Sequence, residues 1–449
     1  MEQNTTTKVP DVSSSNALYA KAQEIIPAAT MLLSKRPELF APGTWPTYYK
    51  RAWGSKIEDV DGNVYTDFVG DVGATMLGRA DPDVNAAVHA AVDQGNICTQ
   101  NYPGEIELAE LLVGIIPCAE QVRFARGGGE ADMVAIRIAR GHTRKDLVAF
   151  CGYHGWHDWY LAANLADDST LDGHLLPGLR PLGVPRQLSG TTLPFEFNHL
   201  QSLKELLESQ PGKFAAIIME ATRHHPPEKG FLEGVRELAN EHNAVLIFDE
   251  VVTGFRMSLG GAQEYFGVTP DMATFAKTMS NGYPMAAIVG KKDIMQIVDE
   301  QFISSTYWTD AIGTAAALAT IKKIRRIGAI DYVWELGKLL VDGLNEAIAK
   351  SGIPAQVQGW PPLTILAFQE EDPDVVAAMK TLFVRRQLSR GFLASSMHYI
   401  MASHTRNDVE KYLSAVEKTM AEIKRSLDNH TLMEDIEFRP SRPLFKRLA

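Results

Sequence analysis

The sequence predicts an α/β fold: a large domain on a mainly parallel sheet of the seven-stranded type, and a smaller α+β domain. Three observations carry this. At 449 residues the chain exceeds what one simple core holds, so two domains are expected. Between about 70 and 300, short apolar runs alternate with helical stretches. Several of those runs are apolar at every position, the signature of parallel strands covered by helices on both faces.

Taken in order, residues 1–16 are rich in Thr, Ser and Asn and are expected to be disordered. An amphipathic stretch over 17–26 and a Pro-containing loop over 27–46 follow. Residues 56–68 read as a hairpin, with Asp61-Gly62 supplying the positive φ of its turn. The large domain, over 70–310, has candidate strands at 122–125, 147–151, 215–219, 245–248, 272–275 and 286–289. Helices over 130–140, 200–208 and 232–241 lie between them. From 311 onward the pattern changes to long helices over 314–326 and 332–350, the link into the small domain. Strands at 363–368 and 399–402 and helices over 373–388 and 407–427 complete that domain, together with 17–69.

Composition narrows the function. A formal net charge of −11 argues against nucleic acid or an anionic membrane as partner. Cys98, Cys118 and Cys151 show no paired spacing and read as reduced thiols of a cytoplasmic protein. The polar N-terminus lacks a signal peptide's apolar core, and no window reaches the roughly 18 apolar residues of a membrane helix.

The chemistry sits at strand ends. Val245-Leu-Ile-Phe248 runs into Asp249-Glu250, and Met272-Ala-Thr-Phe-Ala276 runs into Lys277. Ligands of open α/β sheets bind beyond the carboxyl ends of the strands, so both groups are expected in one crevice. An aspartate and a lysine 28 residues apart suit a cofactor with a pyridine nitrogen and an aldehyde. A strand-end ion pair that only fixes two loops fits the spacing equally well. Gly127-Gly128-Gly129-Glu130 follows the strand at 122–125 and opens a helix, where backbone N–H groups and the helix dipole favour a phosphate. A turn that merely needs positive φ is the commoner explanation of such a run.

Asp249-Glu250-Val-Val-Thr-Gly-Phe-Arg256, Pro270-Asp271 through Lys277, and Gly152-Tyr153-His154-Gly155 together resemble the class-III (subgroup II) aminotransferases of pyridoxal-phosphate fold type I. Within them the chain resembles glutamate-1-semialdehyde aminomutase-like proteins and amine transaminases, from about 26 to 423. The resemblance implies pyridoxal 5′-phosphate as cofactor, Lys277 as the Schiff-base lysine and Asp249 as partner of the ring nitrogen. It implies Gly128 and Gly129 at the phosphate, Tyr153 stacked on the ring, and Glu220 near the cofactor. Ser305-Thr306-Tyr307 matches the loop whose threonine reaches the phosphate of the neighbouring subunit, which implies a homodimer. The reaction implied is amino transfer between a small-molecule donor and a carbonyl acceptor, with an intramolecular 2,1-aminomutase as the alternative.

Departures from the family pattern are informative. The family's phosphate loop reads Ser-Gly-Thr-Glu, so Gly127 and Gly129 replace both hydroxyl donors and predict a looser cofactor. Glu220-Ala-Thr-Arg223-His224-His225 puts Arg223 near the cofactor's oxygen, where it would hold a substrate carboxylate. That arrangement is expected of transaminases for long-chain or bulky amines. No Ser-Arg stands between Pro27 and Ser34, which weakens the case for a β-amino acid or glutamate-semialdehyde substrate. Trp308 and Trp45 sit on loops that could edge the substrate, whereas Trp156, Trp159 and Tyr160 read as core or dimer interface. His154-Gly-Trp-His157 has metal-compatible spacing, so a zinc hydrolase is the reading from a different class, without HExxH or paired cysteines to support it.

Overall fold

The structure, a computed structural model, describes residues 9–174, 176–222 and 224–442. They divide into two compact units, one formed by 9–81 with 331–442 and the other by 82–330. The expected bounds were 70 and 310. The larger unit runs on to 330 because the helix Ala311–Ile327 packs on the helices Pro82–Gln94 and Gly104–Val113. Ala311 and Ala315 bury against Ala91 there, so this helix belongs to the larger unit rather than linking the two.

The first unit opens with the helix Ser13–Ile25, which includes residues 13–16 of the stretch expected to be disordered. A distant group explains the difference. The Asp61 carboxylate accepts the Ser14 and Ser15 N–H groups at 2.8 and 3.0 Å, serving helix-end donors that the local sequence leaves unsatisfied. The expected hairpin is present as β2 (Lys56–Asp59) and β3 (Val64–Asp67), extended by an antiparallel β1 (Tyr49–Trp53), with Gly62 at φ 91° in the turn.

In the second unit lie β4 (Gln121–Ala125), β5 (Leu147–Cys151), β6 (Thr192–Pro194), β7 (Phe214–Met219), β8 (Val245–Asp249), β9 (Met272–Phe275) and β10 (Ala286–Gly290). They form one seven-stranded sheet in the order β4-β10-β9-β8-β7-β5-β6. Pairing is parallel from β6 through β9, while β10 is antiparallel to both β9 and β4. Two reversals cancel, so β4 runs in the same direction as the parallel strands. Strands β5, β7, β8 and β9 are buried at every residue, as their unbroken apolar sequences require. The helix Gly128–Thr143 lays Ala131, Val134, Ala135, Ile138 and Ala139 into this core. Each fully buried Val or Ile stabilises by about 1.5–3 kcal/mol.

The first unit is completed by β11 (Ala355–Trp360), β12 (Leu363–Phe368), β13 (Phe392–Leu393) and β14 (Met397–Tyr399). Strands β11, β12 and β14 make an antiparallel sheet, and β13 joins β3 in parallel. The expected strand at 399–402 lies earlier, because the Ala402 N–H turns away to donate to the Met76 carbonyl at 2.7 Å. The helices Pro373–Leu388 and Arg406–Asp428 fall where the periodicity predicts, the second opened by a Thr405/Asp408 capping box. Among the described residues no helix is long and apolar enough to cross a membrane.

Candidate active site

Because β4, β5, β7, β8 and β9 share one direction, their carboxyl ends line a single edge of the sheet. On it the chain leaves β4 as Gly127-Gly128-Gly129, β5 as Gly152-Tyr153-His154, β7 as Glu220, β8 at Asp249 and β9 through Ala276 into Lys277. All of these but Gly152 and His154 line a cleft of about 290 Å³, completed by Asp132, Gly155, Trp156, Val251, Tyr283 and Met285 among others. Its size is at the lower end of small-molecule sites, roughly 300–1,000 Å³.

Asp249 is held on two sides. Its Oδ1 accepts the Val251 N–H at 3.0 Å, and its Oδ2 meets His154 Nδ1 at 2.8 Å. His154 is fully buried and Asp249 is 5% exposed. A carboxylate acceptor at that position favours the imidazole tautomer with Nδ1–H donating. Asp132, from the helix Gly128–Thr143, faces the same pair and accepts the Thr274 hydroxyl at 2.6 Å. Burial, and then the charge of Asp249, push the Asp132 carboxyl well above the usual carboxylate range. The sequence reading missed Asp132. The available signal was an acidic residue inside the apolar stripe Ala131-Asp132-Met-Val134-Ala135.

Lys277 has φ 48°, a left-handed conformation that costs an ordinary side chain energy and that clusters at functional sites. Tyr153 stands on a turn whose Gly152 has φ 119°, and a Cβ there would lie 2.8 Å from Glu220 Oε2. That same oxygen accepts the Tyr153 N–H at 2.9 Å, so Glu220 fixes the Tyr153 turn from below. The glycine turn after β4 is equally crowded. A Cβ on Gly155 would sit 2.9 Å from the Gly129 Cα, and one on Gly128 would sit 2.9 Å from Val251. Gly128 and Gly129 begin a helix whose N-cap, Gly127, offers no side-chain cap. Glu130 Oε2 reaches back to the Arg126 N–H at 2.8 Å.

Other predicted residues lie elsewhere. Thr306 is exposed and Tyr307 is 74% exposed, on a loop that is not among the groups lining this cleft. Trp308 follows it into a separate cavity of about 520 Å³ beside Arg123 and Phe124, and its carbonyl accepts Arg126 Nη2 at 2.7 Å. Trp45, expected at a loop edge, is 8% exposed in the core of the first unit, stacked on Phe40 at 4.0 Å. Its ring packs with Val384 and Leu388, partners more than 300 residues away in the chain. Arg223 lies outside the described residues. Its neighbours His224 and His225 line a cavity of about 560 Å³ that shares Tyr153 and Glu220 with the cleft. Of the three aromatics assigned to packing, Trp159 and Tyr160 are buried, whereas Trp156 is 70% exposed and lines the cleft.

A class-III aminotransferase family model matches residues 40–404. A 3-aminobutyryl-CoA aminotransferase of Cloacimonas acidaminovorans is 34% identical, over 92% of this chain and 98% of its own length. A glutamate-1-semialdehyde 2,1-aminomutase of Geotalea daltonii is 36% identical, over 91% of this chain and 98% of its own. A solved transaminase with pyridoxal 5′-phosphate bound superposes with a TM-score of 0.84 at 25% identity, over 93% of this chain and 99% of the other.

The chain belongs to the class-III aminotransferases.

As such it is a pyridoxal-phosphate enzyme of fold type I that moves an amino group between an amine or amino acid and a carbonyl acceptor. The cleft of this aminotransferase fits its cofactor chemically: a glycine turn that opens a helix, a primary amine and a buried carboxylate converge in one space. The zinc-hydrolase alternative loses its ligand pair. His154 and His157 do not come together: the described groups close enough to share a metal are Asp132, His154 and Asp249, without His157.

Proposed function

We propose that Lys277 is the lysine that binds the cofactor and that Asp249 holds its ring nitrogen. The observation that carries this is the convergence of both on one cleft from adjacent strands, β8 and β9. When bound, the cofactor supplies an aldehyde carbon that condenses with amines and a ring that accepts the electrons freed when the neighbouring carbon loses a proton. Asp249 keeps that ring nitrogen protonated, with His154 and the Val251 N–H holding the carboxylate in place. Lys277 Nζ would hold the cofactor's aldehyde carbon and, once displaced by an amine, would be the base placed to remove a substrate proton and the acid to return it. Gly128 and Gly129 offer N–H groups to the phosphate, and Tyr153 covers the ring face.

A homodimer supplies the remaining phosphate ligand in this reading, with Thr306 of one chain reaching the glycine turn of the other. The exposure of Thr306 and Tyr307 supports it. Trp308 travels on the same loop. The free, unpaired Cys98, Cys118 and Cys151 support a cytoplasmic setting.

Borohydride reduction of the cofactor-loaded protein followed by peptide mapping tests the central assignment. Label belongs on Lys277, and label on any other lysine sinks it. Arg223 is proposed to pair with the keto-acid carboxylate, and the adjoining 560 Å³ cavity supports a bulky amine as the other substrate. Arg223→Ala should then raise the Michaelis constant for the keto acid roughly tenfold, about 1.4 kcal/mol, and hardly change that for an uncharged amine. Equal effects on both, or none, would remove Arg223 from the site. Relatives named as aminomutases favour a second reading, intramolecular transfer with the same residues. A donor and acceptor screen separates the two, since only amino transfer needs a second substrate and releases a carbonyl product at mid-cycle.

A further inference from the structure

We infer that Asp132 is a second, proton-bearing carboxyl that donates to Asp249 and thereby positions the group read above as the partner of the cofactor's ring nitrogen. The inference rests on that reading for its functional half. Asp132 is 1% exposed on a helix face otherwise made of Ala, Val and Ile, where an acid has no place without a partner. Its Oδ1 takes the Thr274 hydroxyl at 2.6 Å, and Thr274 stands directly opposite Asp249 in the register of β8 and β9. Ligand atoms of Asp132, His154 and Asp249 all lie within 4.8 Å of one another. Two buried carboxylates so close cannot both ionise, so the pair holds one proton.

The donors decide which member carries it. Asp249 already receives Val251 N–H and His154 Nδ1–H, both of which favour its charged form, and it opens on the cleft. Asp132 receives a neutral hydroxyl only, and keeps an oxygen free to donate. The charged and titratable groups around it point the same way. Glu220, from the end of β7, adds negative charge. Lys277, which follows β9, lines the same cleft as both carboxyls. With the proton on Asp132, the cluster bears a single negative charge, matched to one pyridinium. The acid's O–H also draws on Asp249 and fixes its rotation, making Asp132 a positioning residue.

The test compares wild type, Asp132→Asn and Asp132→Ala. Asn copies the protonated acid, since its amide can donate to Asp249 while its carbonyl accepts from Thr274. In infrared difference spectra of the cofactor-free protein at neutral pH, wild type should show a protonated-carboxyl band that Asp132→Asn lacks. Asp132→Asn should bind pyridoxal 5′-phosphate within about twofold of wild type, and Asp132→Ala at least about tenfold more weakly. Three results would overturn the inference: no carboxyl band lost, Asp132→Asn as weak as Asp132→Ala, or a stoichiometric divalent metal present in wild type and absent from Asp132→Asn. Asp249→Asn separates the two layers. If it leaves cofactor affinity and visible absorption unchanged, the Asp249 reading and the positioning role both fall, while the band still reports the shared proton alone.

Discussion

Asp67 ends β3 in the first unit and Asp249 ends β8 in the second, and each accepts the backbone N–H two residues on, at 2.8 Å from Val69 and 3.0 Å from Val251. Both carboxylates are nearly buried. Their remaining partners differ. Asp67 also takes the Gly70 N–H at 3.1 Å and the guanidinium of Arg79, which is held in turn by Asp71 at 2.8 Å. Burial pushes Asp67 up and Arg79 pulls it back, so the fold contains its own counter-charge. Asp249 has an imidazole instead, and one side of it faces a cleft. A buried carboxylate that closes on a fold-supplied cation is architecture. One that keeps an open side is equipment for a ligand, and the local sequence around an aspartate at a strand end does not separate the two.

The largest test removes the functional cation. Lys277→Ala should cost several orders of magnitude in turnover, because covalent and proton-transfer roles go together, while the thermal midpoint of the cofactor-free protein hardly moves. Arg79→Met should do the reverse. It leaves Asp67 buried and unpaired, and should destabilise the protein by about 3–5 kcal/mol in urea titrations without changing cofactor absorption per folded molecule. Loss of activity per folded molecule would mean that Asp67 and Asp249 are not distinct in kind.

A graded effect follows from buried histidines. Burial pushes His398 and His404 of the first unit down to about 4, and does the same for His174 of the second. An unfolded chain protonates these rings below about 6.5, whereas the native state waits until about 4, so their stability contribution is lost as pH falls through that window. From these groups the first unit, with two, should lose more protection in hydrogen exchange than the second. Equal loss would remove the distinction. The smallest effect is at the phosphate. Thr306→Ala should loosen the cofactor by about 1–2 kcal/mol, the scale of one charge-assisted hydrogen bond, and mixed dimers should show the loss in the unmutated subunit's site. An unchanged dissociation constant would count against both the contact and the dimer.

Much of the second unit was legible because its strands are buried on both faces. The runs at 147–151 and 272–275 coincide with β5 and β9 residue for residue. Strand β6 was not, being three residues ending in Pro194 at the sheet edge, and neither was β11, whose Ala-Gln-Val-Gln-Gly-Trp carries little apolar signal. Lys277 and Asp249 were visible because each follows an apolar run directly. Asp132 was hidden because its partner Thr274 is 142 residues away and only the packing of the helix Gly128–Thr143 on the sheet brings them together. Trp45 was misjudged for the same reason, since its burial depends on a helix from the far end of the chain.

The close packing of Gly129 on Gly155 has a consequence for anyone reshaping the pocket. The turn expected to grip the phosphate and the turn that carries Tyr153 approach each other so closely that a methyl group on Gly155 would fall 2.9 Å from the Gly129 Cα. The two turns must therefore be engineered as a single part. A library that varies residues 152–157 to widen substrate scope will perturb cofactor retention whenever it touches Gly155, and substitutions that look confined to one loop will be inherited by the other.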